Sequence, residues 1–483
     1  MHVYHELNAK RGRVPELRGS GRVRLQRNDI LSPEGLRLEV KVIGAGLAGA
    51  EAAHQLAKRG IDVTLYEMRP HRTTPAHKTG DFAELVCSNS LKSKELTNAH
   101  GLLKEELRLL DSLIVRSADR AAIPGGKALV VDRGQFSAQV SNAILCEKRI
   151  RVVMEEVDEI SDGVNIIATG PLTSDALSGS IKTLTGTENL HFFDAISPIV
   201  DGASIDMEHA FFGSRYMGDA DDYLNCPLTE AEYNRFYDEL LAARRVDLRA
   251  FEDTHYFEGC LPIEVMAERG RQTLAYGPMK PVGIVDPITK EQPYAVVQLR
   301  REDLAGRMYN LVGFQTKLTY PEQERVLRLI PALKEAVFHR HGSIHRNTFI
   351  NGPTVLTAGL QLKSNPSVFF AGQITGVEGY VESTAMGFVA AISALCFIKD
   401  VPFMPPPPET TVGALLSYVT TPRKDFQPMN VNFGLLANYS KKRKQGVVNN
   451  ALAAIVAWKE QVASVLSYPV AGKPSASTIP SVL

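Results

Sequence analysis

The distribution of apolar and polar positions predicts that ordered structure begins near residue 38. Residues 38–43 (Leu-Glu-Val-Lys-Val-Ile) have the length and β-branched content of a strand. A glycine-rich turn follows, and residues 50–59 carry apolar positions at helical spacing. Residues 62–66 form a second strand-like run that leads into Glu67. Strand, helix and strand in this order predict a βαβ unit with parallel strands.

The rest of the chain mixes helical and strand-like patterns and shows no repeat of solenoid period. The predicted elements are a helix over 100–115, strands around 127–131 and 151–167, an amphipathic helix over 227–247, a mixed stretch with several strand-like runs over 250–320, a short buried strand at 368–371, and helices over 384–398 and 446–466. A proline run at 405–408 predicts a stiff connector.

Residues 1–38 are rich in arginine and lack any periodicity, which predicts a disordered leader. An RNA-binding arm is the alternative interpretation. A transit peptide fits less well, because such peptides are poor in acidic residues and this segment contains several. The segment also lacks the apolar core of a signal peptide, and no stretch of about 18 apolar residues predicts a membrane span. The expected location is therefore the cytoplasm.

Composition narrows the classes of function. The 54 lysine and arginine residues balance 54 aspartate and glutamate residues, so the net charge is zero. A strongly basic nucleic-acid-binding protein is excluded, and any RNA-binding surface must be a local patch. The five cysteines are odd in number and form no CxxC pair, which favours free thiols in a reducing compartment. No metal site is expected.

The turn after the first strand carries a dinucleotide-binding fingerprint, GxGxxG, at Gly44-Ala45-Gly46-Leu47-Ala48-Gly49. Gly44 allows a tight turn, Gly46 lets a pyrophosphate approach the backbone, and Gly49 allows close packing of helix and strand. The helix N-terminus offers free N–H groups to the phosphates. Glu67 lies 18 residues beyond Gly49, where its carboxylate can accept hydrogen bonds from ribose hydroxyls.

Two further stretches favour FAD over NAD as the dinucleotide. Residues 165–170 form a strand that ends in Ala-Thr-Gly, a junction typical of flavoproteins with two dinucleotide folds. Residues 369–376 form a short strand and a glycine-rich loop that resemble the late flavin-contacting segment of those proteins. Gly372 and Gln373 of this loop are therefore predicted to contact FAD. The expected fold class is α/β, with a Rossmann-type FAD-binding domain like that of glutathione reductase and an inserted mixed α/β domain.

Six stretches resemble one enzyme family over nearly all of the chain after residue 39. They read GAGLAGAEAA at 44–53, LVCSNSLKS at 85–93, FEGCLPIEVMAERG at 257–270, YGPMKPVG at 276–283, AGQITGVEGYVES at 371–383 and FQPMNVNFGLL at 426–436. The sequence is similar to the TrmFO family of folate- and FAD-dependent tRNA (uracil-5-)-methyltransferases. The resemblance implies transfer of a carbon from 5,10-methylenetetrahydrofolate to C5 of uridine 54 in the tRNA T-arm, with FAD reduced by NADH or NADPH.

Two alternatives remain beside this interpretation. The larger MnmG or GidA flavoproteins modify the wobble uridine of tRNA and usually carry His at the position of Leu47. An RNA-independent NAD(P)H flavin oxidoreductase is the second alternative.

The expected domain organisation follows from the resemblance and the element pattern. It comprises a leader over 1–38, a first part of the FAD-binding domain over 39–135, an inserted substrate and tRNA domain with part of the flavin fold over 136–345, a second part of the FAD-binding domain over 346–404, a helical segment over 405–470 and a tail over 471–483.

Methylation of C5 of uracil requires a nucleophile, because this carbon is unreactive until a thiolate adds at C6. A base must then remove the C5 proton. The resemblance implies that Cys260 is the nucleophile and Cys87 the base, and the reverse assignment stays open. Cys146 and Cys396 fall in apolar helical patterns and are expected to be buried structural thiols. Cys226 matches no motif, and no role is expected for it.

A compact basic run is the candidate contact for RNA phosphates. It consists of Lys441, Lys442, Arg443 and Lys444. Such a patch suffices for phosphate contacts on a neutral protein. A solvated helix start is the alternative interpretation of the same residues.

Overall fold

The computed structural model describes residues 39–188, 190–216, 221–246, 261–424, 426–437 and 444–467. The strands are β1 Glu39–Ile43, β2 Asp62–Tyr66, β3 Ser90–Ser93, β4 Ala122–Ile123, β5 Ala128–Val131, β6 Ile150–Val153, β7 Val164–Ile167, β8 Leu190–Ile196, β9 Ile199–Asp201, β10 Phe211–Gly213, β11 Tyr223–Leu228, β12 Ala295–Arg301, β13 Met308–Leu311, β14 Phe338–Arg340, β15 Ser343–Phe349 and β16 Val368–Phe370. The α-helices are α1 Leu47–Lys58, α2 Ala99–Leu109, α3 Leu113–Arg120, α4 Arg133–Leu145, α5 Asp175–Thr185, α6 Glu230–Ala242, α7 Ile263–Ala267, α8 Thr273–Tyr276, α9 Tyr320–Leu327, α10 Gly352–Val355, α11 Tyr380–Ile398, α12 Thr411–Thr420 and α13 Lys444–Ser467.

A five-stranded parallel sheet with the order β16-β7-β1-β2-β6 positions the predicted fingerprint. β1 lies at its centre, between β7 and β2, and its residues Val40 and Val42 are fully buried. The turn after β1 therefore opens at the carboxyl edge of the sheet, where ligands bind in open α/β folds. The predicted βαβ unit of β1, α1 and β2 is confirmed.

A second, six-stranded sheet has the order β10-β11-β12-β13-β9-β14, and all of its strand pairs are antiparallel. It has its own hydrophobic core, which includes Phe236 and Tyr233 of α6 and Phe314. The chain enters this region along β8 and leaves it along β15, and these two strands pair antiparallel over seven residues. Entry and exit therefore lie side by side.

The predicted helix over 100–115 is wrong as a single element, because the chain forms α2 and α3 with a sharp break between them. Asp111 has a φ of 59°, in the left-handed region, which ends the first helix. The Ser112 hydroxyl then caps α3 by accepting from the Val115 N–H at 3.2 Å. Leucines at helical spacing continue across the break, so periodicity alone did not reveal it.

Helix α11 is the one described helix that is long and apolar enough to cross a bilayer, with 19 residues and a mean hydropathy of 1.8. Some 89% of that apolar stretch is buried inside the protein. It packs against α1 and the five-stranded sheet as a core helix. Its apolar composition is therefore explained by the core.

The contact between α1 and α11 requires a residue without a side chain. A Cβ at Gly387 would lie 2.3 Å from the Ala48 carbonyl oxygen, closer than any real contact. Gly387→Ala should therefore push the helices apart and lower the free energy of unfolding by about 1–3 kcal/mol. Thermal or denaturant unfolding measures the effect.

Gly446→Ala is the matched control, because Gly446 lies in α13 with no atom within 4 Å of its added Cβ. That change should stabilise the helix by at most about 1 kcal/mol. Equal stabilisation by both substitutions would contradict the proposed close contact of α1 and α11.

Candidate functional site

The glycines of the turn between β1 and α1 differ in their surroundings: two lie against neighbouring backbone and one borders open space. Gly44 has a φ of 97°, and a Cβ there would lie 2.7 Å from the Ala168 carbonyl oxygen. A Cβ at Gly49 would lie 1.8 Å from the Gly44 carbonyl oxygen. At Gly46, by contrast, an added Cβ meets no atom within 4 Å. Gly44 and Gly49 thus serve the packing of the protein, while Gly46 keeps open a space on the ligand side of the turn.

The N-terminus of α1 points into this space. Gly46 is its N-cap residue and provides no side-chain cap, so the first N–H groups of the helix are not covered by a capping side chain. Leu47 and Ala48, the first residues of the helix, have little exposure to solvent. An open backbone with uncapped N–H groups at a helix N-terminus fits a pyrophosphate.

Glu67 follows β2 and is nearly buried at 5% exposure. Its carboxylate accepts the Ala45 N–H at 3.0 Å and three N–H groups of Arg69 at 2.9–3.1 Å. Burial alone would raise the pKa of Glu67, but the hydrogen bonds from Arg69 and its charge outweigh burial and lower it. The carboxylate is therefore ionised, with four protein donors. To accept a ribose hydroxyl, it would have to exchange one of the Arg69 contacts.

The late segment lies directly against the fingerprint. Gly372 has a φ of 80° and begins a 3₁₀ turn, Gly372–Thr375, and a Cβ at Gly372 would lie 2.7 Å from the Ala48 Cβ. Gln373 donates its side-chain amide to Glu378. One cavity is lined by residues of both predicted segments: Gly44, Gly46, Leu47, Ala48, Glu67, Gly372 and Gln373. Ala45 and Gly49 lie behind its wall and shape the turn.

Cys87 lies on a loop at the edge of the same cavity. Its backbone N–H donates to the Tyr380 hydroxyl at 2.8 Å, and the Ser88 N–H donates to the same oxygen at 3.2 Å. Tyr380 lines the cavity, as does Val86, the residue before Cys87. Burial, and then the nearby Cys87, raise the pKa of Tyr380, so this phenol stays protonated. Tyr380, the first residue of α11, thus joins the loop that carries Cys87 to the lining of the cavity.

Three arginines hold the loop around Cys87. Arg300 donates to Asn89 Oδ1 and Ser88 Oγ, both at 2.9 Å. Arg133 donates to the Leu85 carbonyl, and Arg340 to the Val86 carbonyl. Arg300 and Arg340 belong to the six-stranded sheet, on β12 and β14. The second sheet therefore fixes the loop that carries Cys87 and surrounds it with positive charge.

Several predicted site residues lie outside the described residues, namely Cys260 and Lys441, Lys442 and Arg443. The chain resumes at Leu261, which is buried, and α7 follows. Lys444 is the first residue of α13, and its ammonium lies 5.2 Å from the Phe433 ring centroid.

The remaining cysteines differ from one another. Cys226 is buried in β11, and burial raises the pKa of its thiol. Cys396 is buried in α11, where burial raises its pKa to about 11. The expectation of a buried thiol was wrong for Cys146, which is exposed. Cys146 caps the C-terminus of α4, where the chain leaves the core.

Sequence reasoning missed Tyr380, Arg133 and Arg340, and it considered Arg300 only as a weak candidate for RNA contact, whereas Arg300 is buried and holds the Cys87 loop. Tyr380 lies within the resembling stretch 371–383, so a signal existed there. Arg133, Arg300 and Arg340 are spread over more than 200 positions in no motif, and only folding brings them to one loop.

Comparisons with known proteins agree with these features. The family model "Glucose inhibited division protein A" matches residues 39–402. The chain is 55% identical over 412 residues to a methylenetetrahydrofolate–tRNA-(uracil-5-)-methyltransferase TrmFO of Bacillus cereus (strain AH187), covering 85% of this chain and 95% of the relative. A TrmFO of Bacillus pumilus (strain SAFR-032) is 55% identical over 406 residues, covering 84% and 94%.

The fold also resembles a solved structure. Aquifex aeolicus GidA in its form II crystal matches with a TM-score of 0.65 at 16% identity, covering 88% of this chain and 74% of that one. At this identity the likeness shows the fold alone, a Rossmann-type α/β flavoprotein fold.

Because Gly46 borders open space, a larger residue there should prevent flavin binding without disturbing the fold. Gly46→Leu adds a side chain where the structure has room, so the protein should fold with a melting temperature close to that of the apoprotein. The side chain would occupy the place of the pyrophosphate, and the ratio of absorbance at flavin and protein wavelengths should fall at least about ten-fold. Gly446→Leu, on the exposed side of α13, is the control and should keep its flavin. A yellow, fully loaded Gly46→Leu protein would show that the site is elsewhere.

Proposed function

The chain belongs to the TrmFO family of folate-dependent tRNA (uracil-5-)-methyltransferases, and from this premise we propose its target, its reductant and the roles of its residues. The protein methylates C5 of a uridine in tRNA with a carbon from folate and uses FAD. The target is uridine 54 of the T-arm, the carbon donor is 5,10-methylenetetrahydrofolate, and NADH or NADPH reduces the flavin. The observation that carries the proposal is the Cys87 loop, which lies against the cavity formed by the fingerprint and the late segment.

FAD fits the residues of that cavity. The Gly44–Gly49 turn and the α1 N-terminus would hold the pyrophosphate, Glu67 the ribose, and Gly372 and Gln373 the flavin end. When bound, FAD supplies the reducing equivalents that convert the transferred methylene into a methyl group. The protein's part is to orient the reactants and to exclude water.

Cys260 is proposed as the nucleophile. Its thiolate adds to C6 of uracil, and the electron pair displaced from the C5–C6 double bond makes C5 nucleophilic. C5 then forms a bond to the methylene carbon, which is still attached to the nitrogen of its carrier. Cys87 is proposed to take the C5 proton as a thiolate, and the electron pair left on C5 forms a double bond to the methylene carbon as the carbon–nitrogen bond breaks and the carrier leaves. When a hydride then adds to this carbon it becomes a methyl group, the C5–C6 double bond re-forms, the C6–S bond breaks and Cys260 leaves as a thiolate.

The surroundings of Cys87 support its role as the base. The loop is fixed on one side by the protonated Tyr380 hydroxyl and on the other by Arg300 and Arg340. A proton acceptor at this place meets the substrate at a constant position beside the cofactor cavity. The guanidinium groups of Arg300 and Arg340 also place positive charge next to the loop.

The substrate domain is proposed to be an insertion in the FAD-binding fold. The antiparallel pairing of β8 with β15 places its entry next to its exit, as an insertion requires. β6 and β7 belong to the five-stranded sheet, so the part of the 136–345 segment that forms the separate sheet starts after β8. The 346–404 segment returns to the FAD-binding fold with β16 and α11.

The protein is proposed to act in the cytoplasm, where its tRNA substrate is present.

The proposed roles of Cys260 and Cys87 predict that their alanine variants differ in whether a covalent protein–RNA adduct forms. Cys260→Ala and Cys87→Ala should both keep FAD and reduce methyl transfer by at least about 10³-fold. With tRNA that contains 5-fluorouridine, Cys87→Ala should form a covalent protein–RNA adduct at C6, while Cys260→Ala should form none. Denaturing gel electrophoresis measures the adduct. Cys226→Ala is the control, since this thiol lies buried in β11. An adduct with Cys260→Ala and none with Cys87→Ala would reverse the assignment.

The proposed target predicts which RNA fragments are substrates. Uridine 54 lies at the elbow of tRNA, far from the anticodon, so one rigid site cannot serve both. An isolated T-arm hairpin should be methylated, with a KM higher than that of whole tRNA because fewer phosphates are engaged. An anticodon hairpin should not be methylated. In a separate variant, neutralising the four basic residues 441–444 together should raise the KM for tRNA with little change in kcat. A methyl group mapped to the wobble position would refute the assignment, and turnover independent of RNA would favour a plain flavin oxidoreductase.

A further inference from the structure

A large cleft opens beside the cofactor cavity, and Arg340, which holds the loop around Cys87, is among its lining residues. Its volume is about 1030 Å³. It is lined by residues 72–75, 171–175 and 339–346 and by Lys317, Leu318 and Tyr320. Met68, Thr74 and Pro171 line both the cleft and the cofactor cavity, so the two spaces are continuous. A long substrate could therefore lie in the cleft and still reach the cavity.

The cleft is basic in a chain that has no net charge. Its lysines and arginines are Arg72, Lys78, Lys182, Lys317, Arg340 and Arg346. Four histidines also line it, against only two acidic residues, Asp175 and Glu188. Arg72 pairs with Glu156 and Lys182 with Glu188, and the remaining excess of cationic side chains attracts a polyanion. Small-molecule sites are predominantly apolar with a few polar groups, and this lining differs from that pattern.

An aromatic stack stands on one wall of this cleft. The Tyr320 ring lies 4.7 Å from the His341 ring at an interplanar angle of 19°. His341 in turn lies 5.4 Å from Phe338 at 9°. Three nearly parallel rings thus form a column, and Tyr320 at its end is 55% exposed.

The column is rigidly supported. His341 Nε2 lies 2.9 Å from Glu324 Oε1, which fixes the plane of the middle ring. The Arg328 guanidinium lies 5.8 Å from the Phe338 ring centroid at the other end. Tyr320 is the first residue of α9, so its backbone is set by the helix. A ring held in this way loses little conformational freedom when another flat ring stacks on it.

A basic groove combined with an exposed stacking ring is the arrangement by which proteins hold single-stranded nucleic acid. We propose that the column of Tyr320, His341 and Phe338 stacks an unpaired base of the RNA substrate, while the cationic walls of the cleft bind the adjoining phosphates. The proposal rests on the proposed function, because it takes tRNA as the substrate. The occupied nucleotide is one next to the target uridine, since Arg340 lines the cleft and also donates to the Val86 carbonyl beside Cys87.

The stacking part is tested on the FAD-loaded enzyme with Tyr320→Ala and Tyr320→Phe. Removing the ring should raise the KM for whole tRNA and the Kd from fluorescence anisotropy by about ten-fold, with kcat within about two-fold. Tyr320→Phe keeps the ring and should bind like the unchanged protein. The KM for methylenetetrahydrofolate and the rate of flavin reduction by NADPH should not change. Should Tyr320→Ala fail to fold, Tyr320→Leu still covers His341 while removing the aromatic face.

The electrostatic part is tested by the salt dependence of tRNA binding. Lys78→Gln and Lys317→Gln should each weaken binding and reduce the slope of log K against log salt by about 0.7–0.9. Lys290→Gln is the matched control, because Lys290 is exposed and lies outside the cleft lining. Its slope should not change.

Three results would overturn the inference. One is an unchanged KM for tRNA in Tyr320→Ala, and another is an unchanged salt slope in both cleft lysine variants. The third is a rise in the KM for folate alone, which would assign the stack to the folate ring. These outcomes differ from failure of the proposed function, in which the unchanged protein itself would not methylate tRNA.

Discussion

The close approach of α1 to its neighbours is the constraint on which the rest of the structure depends. At the α1 N-terminus the backbone of the turn touches the backbone after β7, and along its length α1 meets α11 at Gly387. Neither contact leaves room for a Cβ. Because α1 is held this close, its free N–H groups lie at the sheet edge beside the late segment, where Gly372 meets Ala48. The cofactor cavity is a consequence of these contacts.

Buried carboxylates stabilise the helices around this centre. Glu51 of α1 accepts the Ser112 hydroxyl and the Ile114 N–H, at 2.7 and 3.0 Å, and so caps α3 from another helix. Glu106 of α2 accepts the Thr411 and Val412 N–H groups at 2.8 and 2.9 Å and caps α12. Both carboxyl groups are fully buried, and burial raises the pKa of Glu106 to about 7. Each satisfies helix N–H groups that would otherwise lack partners, and each ties two helices together.

The cysteine loop depends on contacts between the two sheets. Arg300 and Arg340 extend from the six-stranded sheet to the loop, and Arg133 pairs with Glu302 at 2.7 Å next to it. Buried ion pairs of this kind add little net stability, because desolvation of the charges offsets their attraction. Their effect here is positional, since removing one partner would leave a buried charge beside Cys87. The six-stranded sheet and the region around the five-stranded sheet therefore both hold the loop that carries Cys87.

The sequence by itself determined the local features of this protein. The order of apolar runs and glycines specified β1, α1 and β2, because strand and helix periodicity and the demands of a tight turn act over a few residues. Local patterns also predicted the Gly44–Gly49 turn, Glu67, Gly372 and Gln373 as cofactor contacts, and the family motifs marked Cys87 and Cys260 as candidate catalytic residues. Only the tertiary structure decided which residues contact these elements and side chains. The break at Asp111, the exposure of Cys146, the clamp of Arg69 on Glu67 and the arginines around Cys87 depend on partners that folding brings together. Periodicity carries no information about such partners, because burial and hydrogen bonding between distant segments are properties of the packed chain.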